Sequence, residues 1–141
     1  MIDPNTPLEA INAFNRNTLL EQLDIKVTAL GENFLEGTMP VDNRTHQPMG
    51  LLHGGASAAL IESLGSIGST LLIDRETENI VGLEINANHV RGVRSGLVTG
   101  RAEIVHAGKT THIWQVDIKD EEERLVCTGR LTVIVIKKKK D

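Results

Sequence analysis

The sequence predicts an α+β fold of about five or six antiparallel strands, with one long helix inserted after the second strand. Three observations predict it. Leu60, Leu64, Ile67 and Leu71 recur at i, i+4, i+7 and i+11, an apolar stripe on one helical face and the strongest helical pattern in the chain. Beyond residue 79 the chain turns strand-like, with Trp114, Val116 and Ile118 alternating with Gln115, Asp117 and Lys119 as in a half-buried antiparallel strand. The connections there are short and carry turn residues, namely Arg94-Ser95-Gly96, Ala107-Gly108-Lys109 and Asp120 to Glu123, so meander pairing is more economical than crossovers.

In chain order, Pro7 to Leu23 holds Leu8, Ile11, Leu19, Leu20 and Leu23 at roughly helical spacings, interrupted at Asn15 to Asn17, and predicts one or two short helices. Asp24 to Leu30 and Asn33 to Val41 flank the Gly31-Glu32 turn signal and predict a hairpin. A polar connection, Asp42 to Met49, leads into the striped helix, and a turn through Asp74 to Asn79 leads out of it. Four strands are then expected: Ile80 to Arg91, Gly96 to His106, Thr110 to Lys119 and Leu125 to Lys137.

With 141 residues, 40% hydrophobic and 24% charged, the chain has the size and balance of a single domain spanning 1–141, with a short helical segment at 6–23 and a frayed basic tail at 137–141. Fifteen Lys and Arg against nineteen Asp and Glu give a net charge of −4, and setting aside the four lysines and one aspartate of the tail leaves the body at −7. So acidic a body, with only Phe14, Phe34 and Trp114 as aromatics, offers neither the basic field nor the stacking platforms of a nucleic-acid binder. Gly54 to Ile73 holds four Gly, four Ser, a Thr and a Glu among its twenty residues, too polar for a membrane span, so no membrane insertion is expected. Cys127 stands alone and no basic stretch followed by an apolar one opens the chain, which reads as cytoplasmic.

On a helical wheel Glu62 lies about 180° from the leucine stripe, among Gly55, Ala58, Ala59, Gly65, Ser66 and Ser69. One carboxylate alone among small side chains either points to water or marks a face that another backbone or a ligand approaches closely. At the start of the helix, Leu51-Leu52-His53-Gly54-Gly55 leaves unpaired N–H groups, and the positive end of the helix dipole, unobstructed by any Cβ at the two glycines. Such a corner can polarise a carbonyl; the plainer reading is a tight turn. Gly54 and Glu62 are eight residues apart, roughly 12 Å along the axis, so one substrate carbonyl can touch both only if two copies of the helix run antiparallel across a dimer axis.

Gln47-Pro48-Met49-Gly50-Leu51-Leu52-His53-Gly54-Gly55, then Glu62-Ser63-Leu64-Gly65-Ser66, then Val81-Gly82-Leu83-Glu84-Ile85-Asn86-Ala87-Asn88-His89-Val90-Arg91 resemble the hotdog-fold acyl-CoA thioesterases. Within that family they are most similar to the branch of the 1,4-dihydroxy-2-naphthoyl-CoA thioesterase of menaquinone synthesis and the enterobactin proofreading thioesterase. The resemblance runs from about Leu8 to Ile136. It implies an antiparallel sheet wrapped around one central helix, in homodimers with shared active sites paired into tetramers, hydrolysing an acyl-CoA, possible aromatic acyl groups included, with no cofactor beyond the coenzyme A of the substrate. It also implies Glu62 as nucleophile or general base, the Gly54 N–H as oxyanion donor, His53 on the thioester carbonyl, and Gln47 and Ser66 positioning the carbonyl, the carboxylate or the water. By the same resemblance Gly82, the strand residues His89, Val90, Arg91 and Gly92, and the turn residues His106, Ala107, Gly108, Lys109, Thr110 and Thr111 border coenzyme A, Arg91 and Lys109 meeting its phosphates.

Other chemistries are poorly served. Ala107-Gly108-Lys109-Thr110 lacks the first glycine of a phosphate loop and precedes a strand; the five histidines form no H-x-H or H-E-x-x-H pair, so no metal is expected; no G-x-S-x-G elbow supports a serine triad. The competing readings are an acyl-thioester dehydratase or hydratase on the same fold and a non-catalytic acyl-CoA-binding module.

Overall fold

The computed structural model of the chain describes residues 1–139. Two short helices, α1 (Leu8–Ala13) and α2 (Leu19–Gln22), precede the hairpin β1 (Lys26–Gly31) and β2 (Phe34–Pro40); α3 (Gly54–Leu72) follows, and then β3 (Glu78–His89), β4 (Leu97–Ala107), β5 (Thr111–Lys119) and β6 (Leu125–Lys137). The six strands form one antiparallel sheet that packs on α3, in the order β1-β2-β4-β5-β6-β3.

The expected meander holds for β4, β5 and β6 but not for β3, which skips β4 and pairs with β6 at the opposite edge. Turn residues at 94–96 carry no information about this. Reaching β4 from β3 means passing β6 and β5, three strand spacings or about 14 Å, and the seven residues 90–96 can span about 24 Å. On the way this segment is tied across the start of α3, the Leu52 N–H donating to the Val93 carbonyl (2.7 Å) and the Val41 N–H to the Gly96 carbonyl (2.8 Å).

Helix and sheet interlock through residues without side chains. Leu64 fills the notch left by Gly37 and Gly100, which face each other across β2 and β4; an added Cβ would stand 2.7 and 2.8 Å from its methyls. Ile61 sits on Gly129 of β6 in the same way. In the reverse direction the Trp114 ring lies on α3, where a Cβ at Gly68 would come within 2.5 Å of it, and its indole N–H donates to Ser69 Oγ at 2.8 Å. Leu60 and Leu64 of the stripe are fully buried, while Ile67 and Leu71 are half-buried. The small-residue face is therefore only in part a surface for outside partners: at Gly65 and Ser69 it is occupied by Leu131 and Trp114 of the chain's own sheet.

At the N-terminus the Asn12 side chain pairs with β1 like a short strand, Nδ2 donating to the Val27 carbonyl and Oδ1 accepting from the Val27 N–H, both at 2.9 Å. At the C-terminus the sheet reaches further than expected of a frayed tail. Lys137 pairs with Glu78, and Lys138 donates through its backbone N–H to the Thr77 carbonyl (2.8 Å) and through Nζ to the Arg75 carbonyl (2.6 Å). Lys140 and Asp141 lie outside the described residues.

Gly68→Ala, which overpacks Trp114, and Ser69→Ala, which leaves a buried indole N–H unpaired, should each destabilise the fold by about 1–3 kcal/mol. Urea unfolding reads this directly, and unchanged midpoints would show that the helix does not depend on this seat.

Candidate active site

Residues 41–53 join β2 to α3 outside the sheet, so hydrogen bonds within the loop and to the 90–96 segment satisfy its backbone. Thr45 Oγ1 donates to the Pro40 carbonyl at 2.8 Å, and the Arg44 guanidinium grips Asp42 at 2.7 Å, holding that carboxyl down to about 2. Gln47 to Leu51 closes a tight turn in which the Gln47 N–H donates to the Leu51 carbonyl (2.8 Å) and Gly50 adopts φ +74°, a left-handed conformation suited to glycine. Gln47 Oε1 accepts from the N–H groups of Met49 and Leu51. Its NH2 end is therefore what it presents to a ligand.

His53 caps α3 with its ring. Nδ1 accepts from the Gly55 N–H at 2.7 Å, and the His53 carbonyl accepts from Ala56 and Ser57 at 3.0 and 3.2 Å. Among the described residues, Gly54 is then the one residue of the first turn whose N–H has no acceptor in the chain. The cap also sets the tautomer: a Nδ1 that accepts carries no proton, so the neutral ring is protonated at Nε2 and offers that N–H outward.

Beside Gly54 lies a cleft of about 420 Å³ lined by Gln47, His89, Val90, Arg91 and Gly92, all anticipated from the sequence. The His89 imidazole stands over Gly54 so closely that a Cβ there would be 2.8 Å from Nε2. Arg91 is exposed and forms no ion pair among the described residues. Sequence reasoning missed Leu51, Leu52, Ser57 and Val126, which with Gly54 complete the lining. Ser57 could have been found, three residues after Gly54 on the same helical face; Val126 arrives from β6, and no local pattern announces it.

Glu62 is half-buried, and among the described residues its carboxylate has no cation or hydrogen-bond donor. Burial pushes its carboxyl above the ordinary carboxylate range. It lies against Gly82 of β3, where a Cβ would come within 2.3 Å of Oε1. The β3–β6 register slips between Gly82 and Glu84, a bulge at the position that receives the acid. Gly82, anticipated as a coenzyme contact, thus makes room for Glu62. Ser66 is one helical turn further on, its hydroxyl free of any partner among the described residues.

The structure does not bring His106, Ala107, Gly108, Lys109, Thr110 and Thr111 to this cleft within one chain. They form the β4–β5 turn, beside the end of β6, with the Val135 N–H on the Thr110 carbonyl at 2.9 Å, whereas Gly54 adjoins the start of β6. The neighbouring His112 is buried, its Nδ1 without a partner, and burial lowers its pKa. Cys127 is buried too, and burial pushes its thiol up, which suits packing and not nucleophilic attack. Among the described residues no three His, Cys, Asp or Glu side chains converge as a metal site, and no helix is long and apolar enough to cross a membrane.

Residues 49–127 match the family model of the thioesterase superfamily. A putative esterase of Vibrio cholerae is 54% identical over 128 residues, covering 91% of this chain and 85% of that protein. The 1,4-dihydroxy-2-naphthoyl-CoA hydrolase of Escherichia coli is 49% identical over 129 residues, 92% of this chain and 94% of that one. A thioesterase of Pseudomonas aeruginosa, solved as a mutant, superposes with a TM-score of 0.94 at 44% identity, covering 97% of this chain and 99% of its own.

Gly82→Ala should push the Glu62 carboxylate out of its niche and return its pKa toward the ordinary carboxylate value. A carbon-13 NMR titration of glutamate side chains checks this; an unmoved, still elevated Glu62 would mean that Gly82 does not set its place.

Proposed function

The chain belongs to the thioesterase superfamily and is a thioesterase; we propose that its substrates are acyl-CoA thioesters, hydrolysed by Glu62 acting against a carbonyl held at the start of α3. The observation that carries this is the pairing of an uncompensated, half-buried carboxylate with an N–H left free at the helix start, two features a merely structural helix would avoid. Three donors serve the developing oxyanion: the Gly54 N–H, the His53 Nε2–H and the Gln47 amide. The Glu62 carboxylate removes a proton from water as the oxygen bonds to the carbonyl carbon. The tetrahedral oxyanion then collapses, the C–S bond breaks, and the thiolate leaves with the proton from Glu62. Direct attack by the carboxylate to form a mixed anhydride, later hydrolysed, uses the same groups.

Because Glu62 and Gly54 are roughly 12 Å apart on one helix, the site is shared between two copies. β3 supplies the means. It is a sheet edge with Val81, Leu83 and Ile85 exposed by 48, 64 and 37%. A two-fold axis near the middle of β3 brings Gly82 of one copy, with its Glu62, toward His89 of the second, with its Gly54. Antiparallel pairing also carries the β4–β5 turn of one copy toward the cleft of the other, where Lys109 joins Arg91 on the phosphates of coenzyme A. The 1,4-dihydroxy-2-naphthoyl-CoA hydrolase at 49% identity supports an aromatic acyl group.

Glu62→Gln should abolish thiol release from acyl-CoAs, a loss of at least about 10²–10⁴; near-native turnover would refute the role of Glu62. Release of thiol also separates hydrolysis from hydration or mere binding, which leave the thioester intact. With the folded-state pKa of Glu62 raised, the ionised, active form is lost as pH falls through a value above the usual glutamate range near 4.3, and kcat/KM should rise with pH across that limb. The same sign means that ionised Glu62 costs stability above its folded pKa, so Glu62→Gln should melt no lower than the parent at neutral pH. His53→Asp preserves a cap acceptor and removes the Nε2–H donor, so it should fold normally and lose about 10²–10³ in kcat; full activity would exclude His53 from the oxyanion site.

A further inference from the structure

Ser57 is 1% exposed and lines the cleft beside Gly54. A serine inside a helix commonly returns its hydrogen bond to the carbonyl four residues back. Two other hydroxyls of α3 do so: Ser63 Oγ donates to the Ala59 carbonyl (2.6 Å) and Thr70 Oγ1 to the Ser66 carbonyl (2.9 Å). At Ser57 that carbonyl belongs to His53 and already accepts the N–H groups of Ala56 and Ser57, at 3.0 and 3.2 Å. The Ser57 hydroxyl is thus left without a partner among the described residues. Among those residues the one side-chain polar atom that is sealed in without a partner is His112 Nδ1, so the Ser57 oxygen is reached from the cleft. An unpaired hydroxyl at this depth costs stability that an alanine would not, and the space it faces is one a ligand can enter.

Leu52, Val90 and Val126 give the cleft an apolar wall, and Ser57 supplies the one hydroxyl among its lining residues. Ser57 stands three residues past Gly54, roughly 4.5 Å along the axis, and a helical side chain leans back toward the N-terminus, which carries the oxygen toward the open Gly54 N–H. Arg91 is exposed at the same cleft. With the substrate carbonyl oxygen on the Gly54 N–H and the coenzyme phosphates on Arg91, the coenzyme arm runs through the cleft, and the atom joined to the carbonyl carbon on that side is the sulfur.

We propose that Ser57 is a further catalytic residue, its hydroxyl donating to the thioester sulfur as the C–S bond breaks. This rests on the acyl-CoA reading above and adds to it the group that receives the leaving side. As the tetrahedral oxyanion collapses, the electron pair of the C–S bond passes to sulfur. The Ser57 O–H donates to the thiolate without giving up its proton, and the proton that Glu62 took from water neutralises the thiolate. Sulfur is a weak acceptor while neutral and a stronger one when charged. The hydrogen bond therefore strengthens toward the transition state, which is the condition for raising kcat and not affinity alone.

Ser57→Ala removes the hydroxyl without adding volume, so it should melt no lower than the parent. The acyl group that the parent hydrolyses fastest is presented on coenzyme A, on N-acetylcysteamine and on 4-nitrothiophenol, and single-turnover kinetics isolate the chemical step. The variant should lose about tenfold or more in rate with the first two, whose alkyl thiolates hold their charge on sulfur, and stay within about twofold with the third, whose ring withdraws that charge. KM for the coenzyme A ester should hold. Equal losses for all three esters, or none, would overturn the assignment, and so would a raised KM at unchanged rate, which moves the hydroxyl to an amide of the coenzyme arm. A parent that releases no thiol from any of the esters sinks this assignment together with the acyl-CoA reading; an active parent with Glu62→Gln inactive and Ser57→Ala indifferent to the leaving thiol sinks this assignment alone.

Discussion

The depth at which α3 lies on the sheet governs the rest of the molecule. Leu64 enters the notch between Gly37 and Gly100, Ile61 rests on Gly129, and the Trp114 ring lies on Gly68 with its N–H on Ser69. Knobs directed both ways across one interface leave the helix little freedom to slide or rotate, because close-packed side chains cannot yield without a strained rotamer or a void. With Ile61 and Leu64 thus placed, Glu62 between them faces β3, and the bulge at Gly82–Glu84 gives its carboxylate a place. Among the described residues the half-buried acid has no counter-ion, at a cost in stability that a packed helix can carry and a marginal one could not.

The start of the same helix follows a different logic. A helix leaves four N–H groups without intrahelical acceptors, and here the His53 ring and carbonyl satisfy three while one, on Gly54, stays open beside the cleft. Capping with an imidazole instead of a hydroxyl or carboxylate both stabilises the helix start and fixes the tautomer that projects a donor. In the proposed mechanism, stability and chemistry share one side chain. The supporting loop is stiffened by the Asp42–Arg44 pair and the Gln47–Leu51 turn, so the donors are in place before any ligand arrives.

Much of this was legible in the residues. The leucine stripe found α3, the alternation around Trp114 found β5, and the isolation of Glu62 together with His53-Gly54-Gly55 pointed at the two ends of the site proposed above. Several features were not legible. The Arg94-Ser95-Gly96 turn reads the same whether it joins neighbouring strands or spans three. Ser69 and Gly65 read as an open small face although Trp114 and Leu131 occupy it. Gly82 read as a coenzyme contact, and no local pattern told that it makes space for the side chain of Glu62, twenty residues earlier in the chain.

By itself the sequence determined the elements, the family, and the residue types at the helix start, because these depend on periodicity and on chemistry within one or two turns of chain. Only the tertiary structure decided which edge β3 joins, which glycines are notches, that Glu62 meets Gly82, and that Ser57 lines the cleft beside Gly54. Those outcomes depend on contacts between residues far apart along the chain, and a local pattern is compatible with many such pairings until packing density selects one.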